Sequence, residues 1–185
     1  MGKQRARLEI EKLERKNEIL LSAEKLFLKK NKDITKISVE SIVKESNLSK
    51  GTFYLYFKTK EEVYLDLLEK LFEEWFDSIK KAFRALNRNP DVNKIVFALI
   101  DYVLTHEYFI NLISISNIII ERNISDKRLF DYKLKIQKMV FELSEIIEAR
   151  ITSIELGQGA ILLMRSYAIL LGSCQVFDYQ ENYAI

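Results

Sequence analysis

With 185 residues, 48% of them hydrophobic, and only one proline and five glycines, the chain can bury a sizeable core but lacks the turn residues that a sheet protein needs. One cysteine and one histidine exclude a disulfide framework and argue against a four-ligand zinc site, a pattern that fits a reducing, cytoplasmic setting. The net charge of +2 hides a split: Met1 to Lys60 carries 15 Lys and Arg against 8 Asp and Glu, and the remainder carries 14 against 19. A basic front end suits a polyanion, and the acidic back end is left for another task.

The first residues, "MGKQRARLEIEKLERK", alternate charges without an apolar run, so no secretory signal is expected and the mature chain is expected to start at Met1. "KQRAR" could be a basic arm or a plain solvated tail. In "KLERKNEILLSAEKLFLKKNKD" the residues Ile19, Ala23, Leu26 and Phe27 share one face, which predicts a first helix closed near Asn31 in a left-handed turn. Ser38 is placed to cap "VESIVKES", a two-turn helix with Val39, Ile42 and Val43 as its apolar stripe.

After a turn at Asn47, Ser49 is placed to cap a short helix from Lys50, its hydroxyl accepting the backbone N–H of Thr52. Phe53 and Phe57, four apart, face inward toward Phe27, Ile42 and Val43. Lys50 with Tyr54 and Thr52 with Tyr56 form flanking stripes that stay free for a partner. Thr59 and Glu62 then read as a capping box that starts the next helix. Two short helices joined by a tight turn, with a third before them, predict a helix-turn-helix whose last member enters the major groove of DNA.

From Lys60 a long helix is predicted to about residue 86, with Val63, Leu67, Leu71, Phe72, Trp75, Phe76, Ile79 and Phe83 inward and Pro90 as breaker beyond it. Further helices are predicted at about 92–105, 108–122, 126–150 and 154–177. The last is apolar enough in length to cross a bilayer, but Arg165, two glutamines and three glycines favour a buried helix and no membrane. Arg165 is the only charge between Glu155 and Asp178, so it is expected to be paired with Glu121, Asp101 or a second subunit, or else to meet an anionic or carbonyl-bearing ligand. The rings of Trp75, Phe76, Tyr102 and Phe109, with His106, are expected either to fill the core or to leave an apolar ligand pocket. The fold class is thus all-α: a helix-turn-helix domain over 1–59, joined by a long helix to a bundle over 60–185.

Catalytic motifs are missing: "GQG" at Gly157 lacks a dinucleotide fingerprint's third glycine, "SKGT" lacks P-loop spacing, and no Ser-His-acid or Cys-His set is legible. No enzyme activity, cofactor or metal is expected.

The words "SVESIVKESNLSKGTFYLYFKTKEEVY" and "AEKLF", spanning about residues 19–68, resemble the N-terminal domain of the TetR family of bacterial transcriptional regulators. The resemblance implies an Ω-like helical homodimer, an effector pocket in a variable C-terminal domain, and repression at a palindromic double-stranded DNA operator that a small molecule relieves. By position, Lys50, Gly51, Thr52 and Tyr54 match contacts to base edges and nearby phosphates. Tyr56 and Lys60 match phosphate contacts, as does Ser38, and Ser49 and Lys58 belong to the same surface. Lys50 can donate to guanine, Gly51 permits close approach, and Thr52 offers a hydroxyl and a methyl. Two departures stand out. "IT" and "IS" replace a common threonine pair, leaving Ser38 as the cap there. The chain also ends at "ENYAI" soon after one long helix where the family pairs two, which implies either a further helix or a different dimer. The alternative function is a DNA-binding adaptor whose bundle takes a protein partner.

Overall fold

The computed structural model describes the backbone of residues 2–183 and their side chains other than those of residues 2–6, 8, 107, 117 and 174–183. Among the described residues eight α-helices follow one another: α1 (Gly2–Lys29), α2 (Val39–Ser46), α3 (Lys50–Tyr56), α4 (Lys60–Ala85), α5 (Val92–Thr105), α6 (Glu107–Ile115), α7 (Asp126–Arg150) and α8 (Gln158–Tyr183). Among the described residues there is no strand, so the all-α class holds. The chain divides into one unit of Met1–Leu67 with Ser116–Ile124, and a second of Leu68–Ile115 with Ser125–Ile185.

In the first unit, Ile19, Ala23 and Phe27 of α1 meet Ile42, Phe53, Phe57 and Val63 in a core with almost no exposed surface. Phe27 and Phe53 are fully buried as the spacing predicts, and Val43 is only half-buried. Tyr64 joins them, its ring 5.8 Å from Phe27 and its hydroxyl donating to the Ala23 carbonyl at 3.1 Å. Burial pushes that phenol's pKa well up. Helix α1 is longer than its apolar stripe requires and begins at Gly2. Pairs one turn apart, Arg7 with Glu11 at 3.0 Å and Arg15 with Glu18 at 2.9 Å, support the solvated extension. It ends in two successive left-handed residues, Asn31 and Lys32, where one was expected.

The segment expected to continue α6 to residue 122 instead widens into a π turn over Ser116–Ile120 and tightens into a 3₁₀ turn over Glu121–Asn123. The Asn123 side-chain amide donates to the Ile119 carbonyl at 2.7 Å, competing with the backbone ladder at the point where the helix breaks.

In the second unit every predicted inward residue of α4 from Leu71 to Phe83 is buried. Trp75 donates its indole N–H to the Leu99 carbonyl at 2.9 Å, and Phe72 and Phe109 meet edge to face at 5.2 Å. Helices α7 and α8, predicted at about 126–150 and 154–177, pack on each other. Their crossing explains "GQG". Gly157 has φ +87, and a Cβ on Gly159 would stand 2.7 Å from the Ser144 carbonyl oxygen. The Glu148 carboxylate accepts the N–H groups of both glycines at 2.9 Å, capping α8 from the side.

The expectation that α8 is buried fails among its described residues. Leu163 is buried, but Ile161, Met164 and Ile169 are exposed. Over its described side chains the composition is mostly apolar, yet among them those on one side meet neighbours within the chain while Ile161, Met164 and Ile169 do not. No single described helix is long and apolar enough to cross a membrane.

Candidate nucleic-acid interface and bundle cavity

Two serines set the geometry of the first unit's polar face. The Ser38 hydroxyl accepts the Ser41 N–H at 3.2 Å, and the Ser41 hydroxyl accepts the Ser38 N–H at 3.1 Å, a reciprocal cap that starts α2. The Ser49 hydroxyl accepts the Thr52 N–H at 3.0 Å and starts α3, and it also lies 2.8 Å from the Thr52 hydroxyl. These caps hold α3 with Phe53 and Phe57 inward, so Lys50, Gly51 and Tyr54 face out while Thr52 and Tyr56 are half-exposed. Tyr54 is 50% exposed, its ring edge-on to Phe53 at 5.4 Å. A partner reaching α3 therefore meets a cation, a bare stretch of backbone and a phenol.

Gly51 is not required by the protein itself. Its helical backbone is ordinary, and an added Cβ would touch nothing closer than the Ser49 hydroxyl at 3.7 Å. The side chain it lacks would point at whatever approaches α3. Leu55, 82% exposed, joins the same face. Sequence reasoning passed over it, although its offset of two residues from both Phe53 and Phe57 puts it on the opposite side of the helix.

The ammonium of Lys50 is held at 2.5 Å by Glu40, in the first turn of α2. That contact pulls the Glu40 carboxyl below the usual range and raises the Lys50 ammonium.

Lys60 does not present a free ammonium. It donates to the carbonyls of Ile34 and Ile37 at 2.8 and 2.7 Å, closing the 3₁₀ turn Ile34–Lys36. That turn has a cap of its own, missed in the sequence: Asp33, whose carboxylate accepts the Thr35 N–H at 2.9 Å. The Thr35 hydroxyl, Lys36 and that N–H together pull the Asp33 carboxyl down to about 2. The box expected at Thr59 is displaced by one residue. Thr59 accepts the Glu62 N–H at 3.2 Å, but the Glu62 carboxylate takes the N–H of Lys58 at 2.7 Å. Between the starts of α2 and α4 lies a crevice of about 530 Å³ walled by Lys36, Ser38, Lys58 and Thr59 among others. Helix N-termini and two exposed lysines are suited to an anion there.

The second unit holds a cavity of about 480 Å³ between α4, α7 and α8, with Phe72, Trp75, Phe76, Tyr132, Leu163 and Tyr167 among its walls. Of the six residues expected at a pocket, Trp75 and Phe76 line it. Phe109 lies on the other side of Trp75, in packing that leaves no water-sized space. Tyr102 and His106 stack on each other at 4.0 Å near the end of α5, and the Tyr102 hydroxyl donates to Glu74 at 2.7 Å. His106 ends that helix, its Nδ1 2.9 Å from the Tyr102 carbonyl. Arg165 is exposed and is not part of the cavity wall, which removes the argument from a buried charge.

A family model described as bacterial regulatory proteins of the tetR family matches residues 19–67, and one for the tetracyclin repressor-like C-terminal domain matches residues 69–185. The HTH-type transcriptional regulator YuxN of Bacillus subtilis is 33% identical over 101 residues, 54% of this chain and 34% of that protein. QacR of Staphylococcus aureus, also an HTH-type transcriptional regulator, is 39% identical over 66 residues, 36% of this chain and 34% of QacR. The chain spans about a third to a half of the length of the curated relatives it matches. A crystal structure of a TetR-family transcriptional regulator from Syntrophomonas wolfei superposes with a TM-score of 0.60 over 86% of this chain and 81% of that one, at 20% identity, a likeness of fold. With one family model on the helix-turn-helix and another on the helices from residue 69 onward, the chain belongs to the TetR family of bacterial regulatory proteins.

Proposed function

We propose that the protein is a cytoplasmic, DNA-binding transcriptional repressor that sits as a homodimer on a palindromic operator and is released by a small, largely apolar effector. Residues 1–59 read the DNA and residues 60–185 hold the effector and the partner subunit. The observation that carries the reading is the outward face of α3, where Lys50, Gly51, Tyr54 and Leu55 stand clear of the core beside a crevice with two exposed lysines. Lys50 suits guanine, Leu55 and Thr52 suit a thymine methyl, and Ser38, Lys58 and Tyr56 suit phosphate.

Two such faces must lie about 34 Å apart to read successive major grooves of a palindrome. The exposed apolar side chains of α8, Ile161, Met164 and Ile169, support self-association. Helix α4 is unbroken from Lys60 to Ala85, so a ligand against Phe72 and Phe76 bears on the helix that follows α3 in the chain. It releases DNA only if it binds the released state more tightly than the DNA-bound one.

The test is selection of bound duplexes from a random pool at near-physiological salt, with Tyr54→Ala in parallel. A palindrome enriched by the parent alone supports the reading; no enrichment by a folded dimer overturns it.

A further inference from the structure

The outward face of α3 is tied to α2 by an ion pair. The Lys50 ammonium donates to the Glu40 carboxylate at 2.5 Å across ten positions of the chain, and both side chains are more than half exposed. Burial therefore does not force the two together. Glu40 stands in the first turn of α2, where the reciprocal cap of Ser38 and Ser41 fixes the backbone and a helix N-terminus favours an acid. Lys50 is the first residue of α3, just after the Ser49 cap, at a helix end that disfavours a cation. The acid is thus well placed on its own account, and the lysine is held where its own helix would not hold it.

We propose that Glu40 is a positioning residue that sets the specificity of DNA binding: it keeps Lys50 available to neutral base edges and withholds it from phosphates. The proposal rests on the DNA-binding reading above. An ammonium has three N–H donors, and the Glu40 carboxylate takes one. The other two remain for the O6 and N7 of a guanine, neutral acceptors that Lys50 reaches without giving up the acid. A phosphate is an anion, so meeting it with Lys50 either breaks the pair or sets the phosphate against the Glu40 carboxylate. Binding to arbitrary DNA is driven by phosphate neutralisation and counterion release, to which a lysine already neutralised adds little. A guanine also gains from a long side chain that is already held, because less rotamer freedom is lost on binding. Glu40 therefore subtracts from the affinity for all DNA, and subtracts most where the guanine is missing.

The test uses two duplexes, one enriched by the parent protein from a random pool and the same one with both half-sites scrambled, titrated with the full chain across a salt series. Glu40→Gln keeps the size of the side chain and removes its charge. It is expected to tighten binding to the scrambled duplex roughly two- to fivefold per subunit, the range of an exposed ion pair, and to the selected duplex by less, so that the ratio between them falls. The salt slope on the scrambled duplex should steepen by about one per subunit. In a Lys50→Met background the same change at Glu40 should leave the ratio where it was. An equal gain on both duplexes, or a fall in ratio that persists without Lys50, overturns the proposal and leaves Glu40 as an acid that repels DNA in general. Urea unfolding of the same variants separates a structural role: a loss of stability with an unchanged ratio means that the pair only ties α2 to α3, and also overturns it. These outcomes leave the DNA-binding reading in place, whereas failure of the folded parent to enrich any duplex overturns both.

Discussion

The Lys50 ammonium and the Glu40 carboxylate stand 2.5 Å apart, joining the first residue of α3 to the first turn of α2. On the proposed reading, in which Lys50 meets guanine, that lysine is already occupied by an acid of its own domain, and DNA must compete for it. Glu40→Gln should tighten DNA binding several-fold and steepen its salt dependence, because a free cation is returned to the face. Fluorescence anisotropy at two salt concentrations measures both. Unchanged affinity would mean that Lys50 does not meet DNA.

Gly51→Ala separates stability from binding. The helix loses a flexible residue without an internal clash, so unfolding should become harder by about 0.5–1 kcal/mol. DNA affinity should fall, because the new methyl faces the partner. Urea denaturation beside a binding titration distinguishes this from a glycine of no consequence, for which only stability would change.

Lys60→Met should act through the fold. The carbonyls of Ile34 and Ile37 lose the ammonium's hydrogen bonds, and that of Ile34 keeps the Ile37 N–H at 3.2 Å. A cost of about 1–3 kcal/mol in unfolding free energy is expected. The number of counterions released on DNA binding should stay the same; a fall of about one in the salt slope would restore Lys60 as a phosphate contact.

Acid acts on the same turn. The Asp33 carboxyl is held at about 2 against an ordinary 3.8. A lowered folded pKa means that its contribution is complete above 3.8 and is lost as pH falls from there through 2. Stability measured across that window should slope less in Asp33→Asn, and NMR titration of the carboxyl locates the midpoint.

Gly159→Ala should destabilise the bundle. Its Cβ would come within 2.7 Å of the Ser144 backbone oxygen, which cannot rotate away, so α7 and α8 must separate. A loss of about 1–3 kcal/mol is expected in thermal or urea unfolding. No loss would mean that the crossing is looser than its geometry.

Much of the first unit was legible because its rules are local. The caps at Ser38 and Ser49 need only a hydroxyl three residues before a free N–H, and the inward turn of Phe53 and Phe57 needs only a spacing of four. Leu55 was legible by the same count and was overlooked among the rings around it. Lys60 was not legible, since its partners Ile34 and Ile37 lie more than twenty residues back in the chain.

In the second unit, by itself, the sequence determined that there would be long helices and which face of α4 would be apolar, because periodicity of 3.6 depends on one segment alone. Tertiary structure alone decided which of those apolar faces found a neighbour. Two helices meeting over Gly159 left Arg165 and Ile169 in solvent, and tertiary packing turned Tyr102 toward Glu74 with His106 stacked on it and left a cavity beside Trp75 and Phe76 rather than beside Phe109. Burial is a property of pairs of surfaces, and a helix that is apolar on every side carries no record of which side will be covered.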